Sequence, residues 1–136
     1  MDRRSAQQQL ARRGEDEARI YLEARGYELC AQNLRVGSDE ADLVMRASDG
    51  ETLVIVEVKT RSDPRACPEV RVDVAKERSL IRLARTLASR GRFHGPMRID
   101  VLAVTLAAGL APGSAPSIRW FQNAVLGSGR AHSRGK

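Results

Sequence analysis

Cysteine is scarce in this chain of 136 residues: Cys30 and Cys67 are the only two. They cannot make the disulfide framework on which small secreted domains depend, and two free thiols in a reducing cytoplasm is a simpler reading than one disulfide. Aromatics are few as well, with one Trp, two Tyr and two Phe, which leaves no platform for stacking bases. The two histidines, His94 and His132, lack paired ligands at metal spacing. No Gly-rich phosphate loop is present, which argues against a P-loop nucleotide hydrolase. The longest uncharged stretch, Val101 to Ile118, contains Gly109, Pro112, Gly113 and Pro116, so it reads as a buried strand and a loop, not a membrane span. At the N-terminus Arg3 and Arg4 run into Ser5-Ala6-Gln7-Gln8-Gln9, which is no apolar signal core, and a cytoplasmic location is expected.

What is abundant is charge, at 29% of residues beside 42% hydrophobic, the balance of a globular domain with one core. The net +6 is unevenly spread. Residues 1–60 carry 9 basic and 12 acidic groups, whereas residues 61–98 carry 10 and 4. A basic second half points to a polyanion partner, nucleic acid first. The competing explanation is genomic base composition, since 20 of the 23 basic residues are Arg.

The pattern predicts one domain over 1–126 and a flexible basic tail over 127–136, with the order αβββαβ(β). Ser5 with Gln8 forms a candidate capping box for a helix carrying Leu10, Ala18, Tyr21 and Leu22 on one face and ending at Gly26. Tyr27–Asn33 alternates like a half-buried strand. Strands over 40–47 and 52–60 flank Asp49-Gly50, a type I′ hairpin signal, and Leu53-Val54-Ile55-Val56 is apolar on both faces, as in a central strand. Asp73 caps a second helix bearing Leu80, Leu83, Ala84 and Leu87 and ending near Gly91. Strands over 97–106 and 117–121 complete an α/β sandwich, a central mixed sheet flanked by helices.

Folding the hairpin about Asp49-Gly50 places Asp42 opposite Glu57 and Glu40 opposite Lys59, and because side chains alternate between faces all four point to the same side of the sheet. Two carboxylates about 5 Å apart repel by about 3 kcal/mol at an effective dielectric of 20. A divalent cation relieves this directly: carboxylate oxygens suit Mg²⁺ or Mn²⁺, and Lys59 could reach a phosphate oxygen or a water. That apparatus suits phosphodiester hydrolysis. A charged cross-strand ladder is the plainer alternative, though Glu57 interrupts an otherwise apolar strand. Asp100, inside another apolar strand, needs a partner, either Arg98 or a helix N-terminus, and reads as structural.

Asp42 followed by Glu57-Val58-Lys59 resembles the PD-(D/E)XK nuclease signature. The ordered set Gly14-Glu15, Ala18, Tyr21-Leu22, Gly26-Tyr27, Asn33-Leu34-Arg35, Glu40-Ala41-Asp42-Leu43, Val56-Glu57-Val58-Lys59-Thr60-Arg61, Lys76 and Arg98-Ile99-Asp100-Val101 resembles the YraN-like family of small bacterial proteins, over about residues 12–121. It departs from that family in having Asp39 where glycine is usual and Ala41 in place of a larger residue. The resemblance implies a restriction-endonuclease-like fold, similar to archaeal Holliday junction resolvases. It also implies a Mg²⁺ (or Mn²⁺) site held by Asp42, Glu57 and the Val58 carbonyl, with Lys59 orienting water, Glu15 approaching from the first helix and Glu40 behind. A homodimer is expected on the same analogy, because cutting two strands takes two active sites.

Arg78, Arg82 and Arg85 recur at i, i+4 and i+7 on the face of the second helix away from its leucines, a stripe suited to a phosphate backbone or to solvent. With Arg61 and Lys76 they are the expected DNA contacts. The sequence therefore predicts a metal-dependent endonuclease acting on duplex or branched DNA, in repair or recombination; the alternative is a DNA-binding or assembly module that keeps the fold without cutting.

Overall fold

The computed structural model describes residues 3–62, 72–91, 93–106 and 115–125, with the side chains of residues 3 and 4 left aside. Its elements are α1 (Arg3–Glu23), β1 (Glu28–Val36), β2 (Asp39–Arg46), β3 (Leu53–Arg61), α2 (Val74–Ser89), β4 (Met97–Thr105) and β5 (Ser117–Phe121). The expected tail over 127–136, Cys67, His132 and most of the loop after β3 lie outside the described residues.

The strands form one sheet in the order β1-β2-β3-β4-β5, antiparallel except for the β3–β4 pair. Parallel neighbours need a crossover, and α2 supplies it. In β3 the run Leu53-Val54-Ile55-Val56 is buried throughout because each face is covered. Val54 and Val56 pack with Ala18 and Leu22 of α1. Leu53 and Ile55 pack with Leu80, Leu83 and Leu87 of α2. The expected mixed sheet between helices is the observed architecture.

Several local expectations need correction. Ser5 does not precede the first helix: α1 already includes it. The hairpin is not a two-residue type I′ turn; a four-residue loop, 48–51, lies between Ala47, whose N–H donates to the Thr52 carbonyl at 2.8 Å, and Thr52. Asp49 organises that loop by accepting from the N–H groups of Glu51 and Thr52 at 2.8 and 2.9 Å, and only Gly50 takes positive φ. Both loops share a centre, so the expected register survives: Leu43 pairs with Val56 and Met45 with Val54. In β1 the alternation fails at Leu29, which is exposed, because the β1–β2 register shifts between Leu29 and Ala31.

Asp73 caps α2 as expected, accepting from the Lys76 N–H at 2.8 Å. Asp100, fully buried, has its expected partner in Arg98 at 2.9 Å and also accepts from Trp120 Nε1 and the Asn123 N–H. This closes β4 and β5 around a satisfied charge. Cys30 is exposed, as is His94 in the loop before β4. No described helix is long and apolar enough to cross a membrane.

Candidate functional site

The β2–β3 ladder ends at Leu43↔Val56, although β2 extends back to Asp39 and β3 runs on to Arg61. The two strands therefore fork, and Asp42 and Glu57 are the first residues past the last pair. Asp42 Oδ2 accepts a hydrogen bond from the Val58 N–H at 2.8 Å, which substitutes a side chain for the missing backbone rung. In a strand the N–H and C=O of one residue point to the same edge, so the Val58 carbonyl opens into this fork too.

Glu57 is only 7% exposed, and among the described residues its Oε1 has no hydrogen-bond partner. Two ammonium groups stand near it: Lys59 Nζ is 3.6 Å from Oε2 and Lys76 Nζ is 3.6 Å from Oε1. Burial, and then the charge of Asp42, pushes the Glu57 carboxyl up to about 7. Burial raises Asp42 as well, against the Val58 N–H that stabilises its charged form. Glu15 on α1 joins this electrostatic cluster, pushed up to about 7 by burial and then by Asp42. Gly14 brings α1 this close: a Cβ there would meet Thr60 Cβ at 2.8 Å.

The expected Glu40–Lys59 pair does not form. Lys59 turns to Glu57, while Glu40 pairs at 3.6 Å with Arg35 and its carbonyl accepts from Lys76 Nζ at 3.0 Å. The reason is a slip in the strand's alternation. Ala41 and Val44 belong to the apolar cluster under α2, whereas Leu43 and Met45 belong to the one under α1. Glu40 and Asp42 therefore cannot be assigned one face by counting in twos.

The arginine stripe is only partly as expected. Arg78, Arg82 and Arg85 are all exposed, but Arg82 is engaged: its Nη2 and Nε donate to Asp39 at 2.8 and 3.2 Å, and Ser79 Oγ donates to the same carboxylate. Arg82 and Ser79 hold Asp39 below the usual carboxylate range. Arg85 lines a cavity of about 330 Å³ between α2 and the start of β4, which contains none of the site carboxylates. Arg61 ends β3 two residues beyond Lys59, and among the described residues its buried Nε has no hydrogen-bond partner. Sequence reasoning missed Asp39 as the anchor of α2 and Lys76 as a neighbour of Glu57. The first contact spans about forty residues and the second about twenty, and neither leaves a local signal.

Among the described residues no group of three or more His, Cys, Asp or Glu side chains is arranged to hold a metal ion. A cation here would draw on two carboxylates, the Val58 carbonyl and oxygens from water or substrate, a donor set that suits Mg²⁺ or Mn²⁺. The unpartnered Glu57 Oε1 fits such a role.

The model of the uncharacterised protein family UPF0102 matches residues 14–104, which include every site residue named above. The chain belongs to this family. UPF0102 is the YraN-like family, a nuclease-like family of PD-(D/E)XK type. Among its curated relatives, UPF0102 protein HEAR0176 of Herminiimonas arsenicoxydans is 35% identical over 90% of each chain. UPF0102 protein STH1475 of Symbiobacterium thermophilum is 46% identical over 67% of this chain and 77% of its own. UPF0102 protein GSU0650 of Geobacter sulfurreducens is 39% identical over 85% and 87%. Among solved structures, that of Pyrococcus furiosus SfsA in complex with Ca²⁺ is similar at 15% identity, covering 78% of this chain and 58% of that one; its TM-score of 0.33 carries no argument.

Proposed function

We propose that this UPF0102 protein is a metal-dependent endonuclease that hydrolyses DNA phosphodiester bonds, on duplex or on branched intermediates of repair and recombination. The observation that carries the reading is the β2–β3 fork, where a buried carboxylate oxygen of Glu57 without a hydrogen-bond partner lies beside Asp42. Asp42, Glu57 and the Val58 carbonyl would hold Mg²⁺ or Mn²⁺. When bound, such an ion neutralises the carboxylate pair and stabilises charge developing on a phosphate. Lys59, tethered by Glu57, orients the attacking water. The water oxygen bonds to phosphorus, the P–O3′ bond breaks, and the products are a 5′-phosphate and a 3′-hydroxyl. Arg61, Lys76, Arg78 and Arg85 meet the phosphate backbone.

One observation favours a second reading, a DNA-binding module that does not cut: Lys59 and Lys76, both 3.6 Å from Glu57, partly balance the acidic pair without a metal. Calorimetric titration with Mn²⁺ separates the two. The nuclease reading expects a site in the wild type that is lost in Asp42→Asn and in Glu57→Gln; unchanged affinity in both variants removes the metal site as drawn.

A further inference from the structure

Asn33 sits within β1 yet has φ +52, the left-handed region, which asparagine tolerates better than most residues and strand residues normally avoid. Its conformation coincides with a break in the β1–β2 ladder. Gln32 pairs with Leu43 and Leu34 with Ala41, but the rung between them, Asn33 with Asp42, is missing.

Both strands change face at this one rung. On β2, Ala41 and Val44 pack under α2, three residues apart where a regular strand repeats in twos. On β1, Ala31 and Leu34 do the same. Two adjacent strands can stay paired through a slip only if both slip together, and a left-handed residue supplies the required turn of the chain. The residue opposite it is then free of the ladder. That residue is Asp42, whose carboxylate is found on the Val58 N–H of β3.

We infer that Asn33 is a positioning residue of this site: its left-handed backbone breaks the β1–β2 ladder opposite Asp42 and turns that carboxylate into the β2–β3 fork. Strained backbone held beside functional groups, and irregular strand pairings that re-aim a side chain, are known devices of this kind. Asn33 need not touch the reacting atoms: its side chain hydrogen-bonds Glu15, a bond that Asn33→Gly and Asn33→Val both remove, and its backbone acts through Asp42. The consequence for the reaction rests on the nuclease reading above, but the placement of Asp42 does not.

The test compares Asn33→Gly, which adopts positive φ freely, with Asn33→Val, whose β-branched side chain resists it, and with Gln32→Val as a control at a regularly paired position. Two readouts are taken on each protein: hydrogen exchange of the Val58 amide without metal, normalised to global unfolding, and the Kd for Mn²⁺. Asn33→Gly and Gln32→Val should keep both within about twofold of wild type. Asn33→Val should lose tenfold or more of the Val58 protection and of the Mn²⁺ affinity. Should Asn33→Val not fold, Asn33→Ala takes its place with a loss of threefold or more. Full Val58 protection in Asn33→Val or its substitute overturns the inference, and so does its loss in Asn33→Gly. Wild type that protects Val58 but binds no Mn²⁺ overturns the nuclease reading instead, leaving the inference to the amide data.

Discussion

Asp42 and Val58 are joined at 2.8 Å, carboxylate to backbone N–H, across the point where β2 and β3 cease to pair. This bond makes the acidic pair asymmetric. Asp42 is anchored to the strand that carries Glu57, whereas Glu57 Oε1 is buried without a hydrogen bond. One carboxylate is fixed and the other remains able to gain a ligand.

That asymmetry has a pH signature. The folded-state pKa of Glu57, about 7, lies above the ordinary 4.5, so the folded protein binds more protons between those values and loses stability as pH rises through them. The loss is complete above about pH 7 and is at most about 3 kcal/mol, at 1.36 kcal/mol per unit. Glu15 acts in the same direction. Thermal unfolding in chelator should therefore show wild type declining from pH 5 to pH 8, and Glu57→Gln declining less and exceeding wild type at pH 8. A Glu57→Gln protein less stable than wild type at pH 8 would contradict the burial and the Asp42 repulsion that raise this carboxyl.

Gly14 provides a steric test of how α1 reaches the site. A Cβ at this position would lie 2.8 Å from Thr60 Cβ, so Gly14→Ala must push α1 off β3. The expected cost is about 1–3 kcal/mol in chemical denaturation. Thr60→Ala should recover part of it, with a coupling above about 0.5 kcal/mol. Additive effects would mean that the two positions do not press on one another.

On α2, the salt dependence of DNA binding counts phosphate contacts. Three free arginines would contribute about 2.7 to the slope, at about 0.9 per contact. With Arg82 bound to Asp39, replacing Arg78, Arg82 and Arg85 by Ala should lower it by about 1.8. An unchanged slope would make the stripe an ordinary solvated face.

The order of elements, the β2–β3 register, the cap at Asp73 and the partner of Asp100 were legible because each rests on a local pattern or on a buried charge that must be satisfied. The pairing of Glu40 was not. That expectation rests on counting in twos through Asp42, and the face slip at Asn33 breaks that count. A signal existed, since asparagine is depleted in strands and tolerant of positive φ, but one residue does not say which rung will open. The Asp39–Arg82 and Lys76–Glu57 contacts were invisible for a different reason: they depend on how α2 docks, which no local pattern encodes.

Incubating the purified protein with labelled duplex, single-stranded and four-way-junction DNA in Mg²⁺, Mn²⁺ or chelator, beside Lys59→Ala, separates cutting from binding. Binding should survive chelation, whereas cleavage should require metal, leave a 5′-phosphate, and fall by roughly 10²–10⁴ in rate in Lys59→Ala while DNA affinity changes little. Binding without metal-dependent cutting on any of these substrates, even at high protein excess, would contradict the nuclease reading and leave the DNA-binding module.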